Sequence, residues 1–117
     1  MKLIDLLPLE QPPTQDDLNR AWAEASDEYL LNGGLAELSY ATINAGYTPV
    51  SRPSMLTGRI HTRAVAVDAQ IIADWEQSGR KTLVQNAFPA LGADDREFIL
   101  NGITPEEWNA HFPEEEA

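Results

Sequence analysis

No cysteine occurs anywhere in the 117 residues. The fold must therefore be held by buried apolar surface and hydrogen bonds, with no disulfide to constrain the unfolded chain and no thiolate to grip a metal. A chain of this length buries roughly two-thirds of the surface its unfolded state exposes, enough for one core without staples. The missing thiols also exclude thiolate catalysis and zinc fingers, and they favour a reducing compartment, where disulfides would not persist. One compact domain is expected, arranged as an N-terminal helical segment (1–46), a linker or loop (47–58) and a C-terminal α+β segment (59–117).

Capping and turn residues divide the chain into short elements. After Gln11-Pro12-Pro13, Thr14 reads as an N-cap with Asp16 and Asp17 in the first turn, which predicts a helix from about Gln15 to Leu31. Leu18, Trp22, Ala25 and Tyr29 recur at its period, and Asn32-Gly33-Gly34 supplies the stop. Residues 35–45 suit either helix or strand, with helix favoured. Gly46 to Ser54, with two prolines and several hydroxyls, reads as a connecting loop. Arg59 to Val67 reads as a strand with Arg59, His61 and Arg63 on one face. Asp68 caps a short helix over Ile71, Ile72 and Trp75, and Thr82-Leu83-Val84-Gln85 suggests another strand. A two-turn helix should end at Asn101-Gly102.

Thr104-Pro105-Glu106-Glu107 is the sharpest local signal: N-cap, proline at the first helical position, and Glu107 placed to close a capping box, with Ile103 and Trp108 as a hydrophobic staple. Glu114-Glu115-Glu116-Ala117 reads as a frayed tail. The pattern as a whole predicts an α+β fold: a small, mainly helical single domain with a short antiparallel sheet or hairpin.

Nineteen acidic against eight basic side chains give a net charge of −11. Such a field repels a phosphate backbone, so direct nucleic-acid binding is not expected. Asp5 and Pro8 interrupt the apolar leader well short of a secretion signal, and no apolar run approaches the roughly 20 residues of a membrane-spanning helix. The expectation is a protein of the host cytoplasm, neither spanning nor anchored to a membrane.

The residues that carry chemistry are sparse. His61 and His111 are the only histidines; Glu107, four residues before His111, is the nearest acid at ligand spacing, and no metal or cofactor set can be assembled. Ser39, Ser51, Ser54 and Ser78 occupy no nucleophile elbow, and no phosphate-cradling glycine loop is present. Acidic neighbours such as Asp94/Asp95 and Glu106/Glu107 sit in first helical turns, where the helix dipole accounts for them. Catalysis is not expected. Trp22, Trp75 and Trp108 each fall among apolar residues and are expected in the core. The basic group Arg52, Arg59, His61, Arg63, Arg80 and Lys81 either pairs with the chain's own acids or holds an anionic partner.

Residues 79–108 resemble a module of small bacteriophage and other mobile-element proteins. The likeness is carried by Val84-Gln85-Asn86-Ala87-Phe88-Pro89-Ala90-Leu91, Asp95-Arg96-Glu97-Phe98-Ile99 and Gly102-Ile103-Thr104-Pro105-Glu106-Glu107-Trp108. It implies a mobile-element origin and no activity. Combined with the acidity, it leads to the expectation of a binding protein that inhibits or modulates a host nucleic-acid-binding complex, similar in size and charge to anti-CRISPR proteins. The residues expected at that interface are Asp16, Asp17, Glu24, Asp27 and Glu28, imitating phosphates, together with Arg59, His61 and Arg63. The competing expectation is a virion or assembly protein that pairs with its own copies or with a capsid or tail protein.

Overall fold

The computed structural model describes residues 12–112. The leader Met1–Pro8 and the tail Glu114–Ala117 lie outside the described residues. Two strands, β1 (Thr48–Pro53) and β2 (Ile60–Val65), form an antiparallel hairpin. Helices surround it: α1 (Gln15–Glu24), α2 (Asp27–Tyr29) and α3 (Leu35–Asn44) before the strands, α4 (Ala69–Gln77), α5 (Val84–Ala87), α6 (Ala93–Asn101) and α7 (Pro105–His111) after them. This is the small α+β fold read from the sequence.

Segment 46–54, expected to be a loop, is instead occupied largely by β1, and the hairpin register explains how it tolerates two prolines. Pro49 faces Ala64, and Pro53 faces Ile60. The backbone groups of Ala64 point away from β1 and bond to α1, so Pro49 sits at a position where the ladder needs no N–H from it; Pro53, four residues on, shares that parity. Between them, the Ser51 and Thr62 hydroxyls meet across the pair at 2.7 Å.

The two faces of the hairpin bury two apolar clusters. Val50 and Val65 pack with Ile72, Trp75, Phe88, Leu91, Phe98 and Ile99 from α4 to α6. Ala64 packs with Leu18, Ala21, Trp22 and Leu38 from α1 and α3. Buried indoles keep their polar ends satisfied: Trp22 Nε1 donates to Thr42 Oγ1 at 3.0 Å, and Trp75 Nε1 to the Thr82 carbonyl at 2.8 Å. Trp75 also meets Phe88 edge-on at 5.3 Å.

Several helix ends differ from expectation. The first helix stops at Glu24, because Ala25 is extended and Ser26 starts a new turn by accepting the Tyr29 N–H on its hydroxyl. The chain re-enters helix through a wide turn, Leu30–Gly34, in which Gly33 takes φ 102. Gly34 itself is helical, and its lack of a Cβ makes room for the Tyr29 ring. The strand expected at 82–85 is absent, and Val84–Ala87 forms a single helical turn. Trp108 is 51% exposed rather than in the core.

Gly102 closes α6 in the left-handed region at φ 73, with its backbone pressed against the Pro53 carbonyl at the end of β1. A Cβ there would incur the left-handed penalty and overlap a backbone atom at once. Gly102→Ala should therefore destabilise the fold by about 2–4 kcal/mol. Gly58→Ala, at φ 78 with open space around it, should cost about 1 kcal/mol. Urea midpoints of the two variants check the difference.

Candidate partner-binding surface

Three helices begin around one buried ion pair. Arg63, on β2, directs Nη2 to Asp95 Oδ1 at 3.2 Å, with both side chains about 90% buried. The other Asp95 oxygen accepts a 2.7 Å hydrogen bond from Gln15 Nε2. Glu106 stands 3.9 Å from Arg63 Nη1. Burying a lone guanidinium would cost several kcal/mol, so the carboxylates are required for Arg63 to lie inside at all. Its Nε is buried without an acceptor among the described residues. Arg63 is thus consumed inside the protein.

Because Asp95 and Gln15 belong to the first turns of α6 and α1, their sequence neighbours surface together. Asp16 and Asp94 line one shallow cleft with Gln15, Asn19, Arg63 and Asp95. Asp94 and Glu106 read as dipole acids in the sequence. The approach of Asp94 to Asp16, and of Glu106 to Arg63, depends on the fold, and no sequence spacing could have revealed either.

His61 and Arg63 share a second cleft of about 300 Å³ with Trp22, Arg59, Glu106, Glu107 and His111, between β2, α1 and α7. Glu107 dominates it. Thr104 caps α7 by accepting the Glu107 N–H at 3.1 Å, but the Glu107 side chain does not return to close the box. It reaches the hairpin loop, where Oε1 accepts from Ser54 Oγ and Oε2 accepts from Thr57 Oγ1 at 2.6 Å and meets His61 Nε2 at 2.8 Å. The reciprocal capping box forms instead at α1, between Thr14 and Asp17.

Serine, histidine and glutamate thus meet, but the serine bonds to the carboxylate and not to the imidazole. Ser54 is only 3% exposed, and its oxygen also accepts the Leu56 and Thr57 N–H groups at 3.0 and 3.3 Å. The serine proton is directed at the Glu107 carboxylate and the imidazole is held by the other oxygen of that carboxylate, so the trio fastens the hairpin loop to α7. Among the described residues no group of three histidines and acids is placed to hold a metal ion.

Of the remaining expected interface residues, Asp17 is spent in its capping box, where the Thr14 N–H and hydroxyl hold its pKa low. Asp27 and Arg59 face each other at 3.6 Å, both well exposed. Asp16, Glu24 and Glu28 are exposed, and no described cation pairs with them. The basic segment is engaged internally: Arg52 and Arg80 both bind Glu76, at 3.0 and 2.9 Å. Arg80 also lies 4.9 Å from the Trp75 ring, and these bonds lower the Glu76 pKa, Arg80 contributing most.

Burial pushes the Glu107 pKa up, but hydrogen bonds from Ser54, Thr57 and His61, with the charge of His61, more than offset this and bring it from 4.5 to about 2. A carboxylate whose pKa is lower folded than unfolded contributes stability that is complete above about pH 4.5 and lost as the pH falls towards 2. The shift corresponds to at most about 3 kcal/mol. Glu107→Gln should lower the urea midpoint at pH 6 and flatten its fall between pH 4.5 and 2, as read from denaturation curves across that range.

Comparison with protein-family models, with curated protein sequences and with solved structures returns no match for this chain.

Proposed function

We propose that the protein is an acidic binding protein of mobile-element origin that docks on the basic surface of a host nucleic-acid-binding complex and inhibits or modulates it. One observation carries the reading. Arg52, Arg59, Arg63 and Arg80 are each turned onto the protein's own acids, whereas Asp16, Glu24, Glu28 and Asp94 remain exposed and free of such pairing among the described residues. Arg20, Lys81 and Arg96 make no such ion pair among the described residues, and the outward surface keeps the acidic sign of the composition. A surface of that kind steers a basic partner into encounter and competes with phosphate for the same arginines and lysines. Asp16 and Glu24 stand eight residues apart on α1, about 12 Å along its axis, a rigid presentation that costs little ordering entropy on binding.

No helix among the described residues is long and apolar enough to cross a membrane. Affinity capture from host lysate at low ionic strength should recover a nucleic-acid-binding complex. Added duplex DNA should displace the protein, and Asp16→Asn/Glu24→Gln/Glu28→Gln should cut recovery at least threefold. Recovery of no such complex at any salt concentration would sink the reading.

A second reading rests on a separate observation. Leu31, Leu35, Tyr40 and Ile43, on the wide turn and α3, are 86, 50, 72 and 62% exposed. Apolar side chains gathered on one segment suit self-association or attachment to a capsid or tail protein. Sedimentation as a monomer at millimolar concentration, together with absence from purified particles, would exclude this role.

A further inference from the structure

Between α6 and α7 runs an open groove of about 460 Å³, lined by Asp94, Glu97, Ile103, Pro105, Trp108 and their polar neighbours, with no cationic residue in its wall. Trp108 provides its aromatic side. Unlike Trp22 and Trp75, each 6% exposed, Trp108 is half exposed, and its indole N–H bonds to no described residue. Phe112 supports the ring at 4.6 Å, and is itself 50% exposed. Opposite stand Asp94 and Glu97, three residues apart on one face of α6. Glu97 uses Oε2 to accept from Asn101 at 3.1 Å, which orients the carboxylate and leaves Oε1 available.

An aromatic face opposite two carboxylates is the chemistry that recognises a cation on an alkyl stem. The stem covers the ring, the cation interacts with its π-face, and the carboxylates take the charge. A nucleic-acid base is a poor occupant, since single-strand sites pair stacking aromatics with a positive groove. A second copy of this chain is also a poor occupant, since its net charge of −11 opposes approach to Asp94 and Glu97. We infer that the groove between α6 and α7 is the anchoring site for a basic segment of a protein partner, one of whose arginine or lysine side chains lies on Trp108 between Asp94 and Glu97.

This inference rests on the acidic-binder reading and adds to it a specific anchor. Asp94 belongs both to the acidic rim shared with Asp16 and to this groove, so a partner steered by the rim arrives beside the aromatic ring. Steering sets the encounter rate, and a half-exposed tryptophan at the end of the path is the residue type that sets the lifetime of a complex.

The test uses the full chain and a nine-residue arginine peptide at low ionic strength, with affinity measured by calorimetry and binding followed by tryptophan emission. Since Trp22 and Trp75 are buried, a saturable change in emission reports on Trp108. The expected results are binding of the arginine peptide but not of its glutamate counterpart, and about a tenfold loss of affinity for Trp108→Ala. Trp108→Phe should lose about threefold, and Asp94→Asn/Glu97→Gln about tenfold. Asp16→Asn/Glu24→Gln/Glu28→Gln removes more charge, yet should stay within about twofold of the wild type. Trp108 lies on the surface, and unchanged thermal melts will verify that its variants fold.

If the α1 triple variant weakens the peptide as much as the groove variants do, and Trp108→Ala costs nothing, the groove is overturned while the acidic-binder reading stands. If the peptide does not bind at all, the groove is again overturned, and the lysate capture decides the broader reading separately. Binding of free arginine amide as tightly as the peptide would assign the groove to a small cation and overturn the protein partner.

Discussion

The structure depends on how the outer edge of β2 is closed. A two-stranded sheet has an exposed edge on each side, and unpaired backbone groups there are costly when buried. On β2 no third strand among the described residues answers them; side chains of α1 do. Asn19 Oδ1 accepts the Ala64 N–H at 2.8 Å, and Gln15 Nε2 donates to the Ala64 carbonyl at 2.9 Å. The methyl group of Ala64 belongs to the same apolar cluster as Leu18 and Trp22 of α1. Helix α1 therefore acts as both a core layer and a substitute strand, which is how so small a sheet can sit in the middle of the protein.

The same closure generates the surface. Gln15 bonds to Asp95 as well as to Ala64, and Asp95 holds Arg63, so α1, α6 and β2 share one polar junction. Drawing helix N-termini onto a buried cation places their exposed first-turn acids side by side. The acidic rim is thus a by-product of the way the interior is neutralised. Glu107 makes a second junction of the same kind, fastening the hairpin loop to α7 with a carboxylate that a helix cap would otherwise have used.

Features written in contiguous residues were legible in the sequence. Thr14, Asp68 and Thr104 cap the helices they were expected to cap, and Gly102 stops α6. The α+β class followed from the same signals. Features that depend on a distant partner were not legible. Glu107 completes the local motif of a capping box, yet two hydroxyls and an imidazole from the hairpin outcompete the single N–H at the cap. Prolines 49 and 53 look like a loop until β2 supplies the register that makes them harmless. Arg63 and His61 share a strand face as read, but the acids that occupy them come from α6 and α7. Trp108 fits the helical pattern of a core residue, but no element among the described residues covers it, and it is half exposed.

The Gln15 to Asp95 bond links residues 80 apart in sequence, and Asn19 meets Ala64 across 45. Closing contacts over such distances is slow, because the loop entropy is lost before the contact forms. On the ribosome, the hairpin is synthesised with α1 already available to cover its edge. Arg63, however, has no carboxylate from α6 until residue 95 has emerged, and none from α7 until residue 106. The final set of interior bonds, and the acidic face that accompanies it, therefore becomes available only as α6 and α7 leave the exit tunnel.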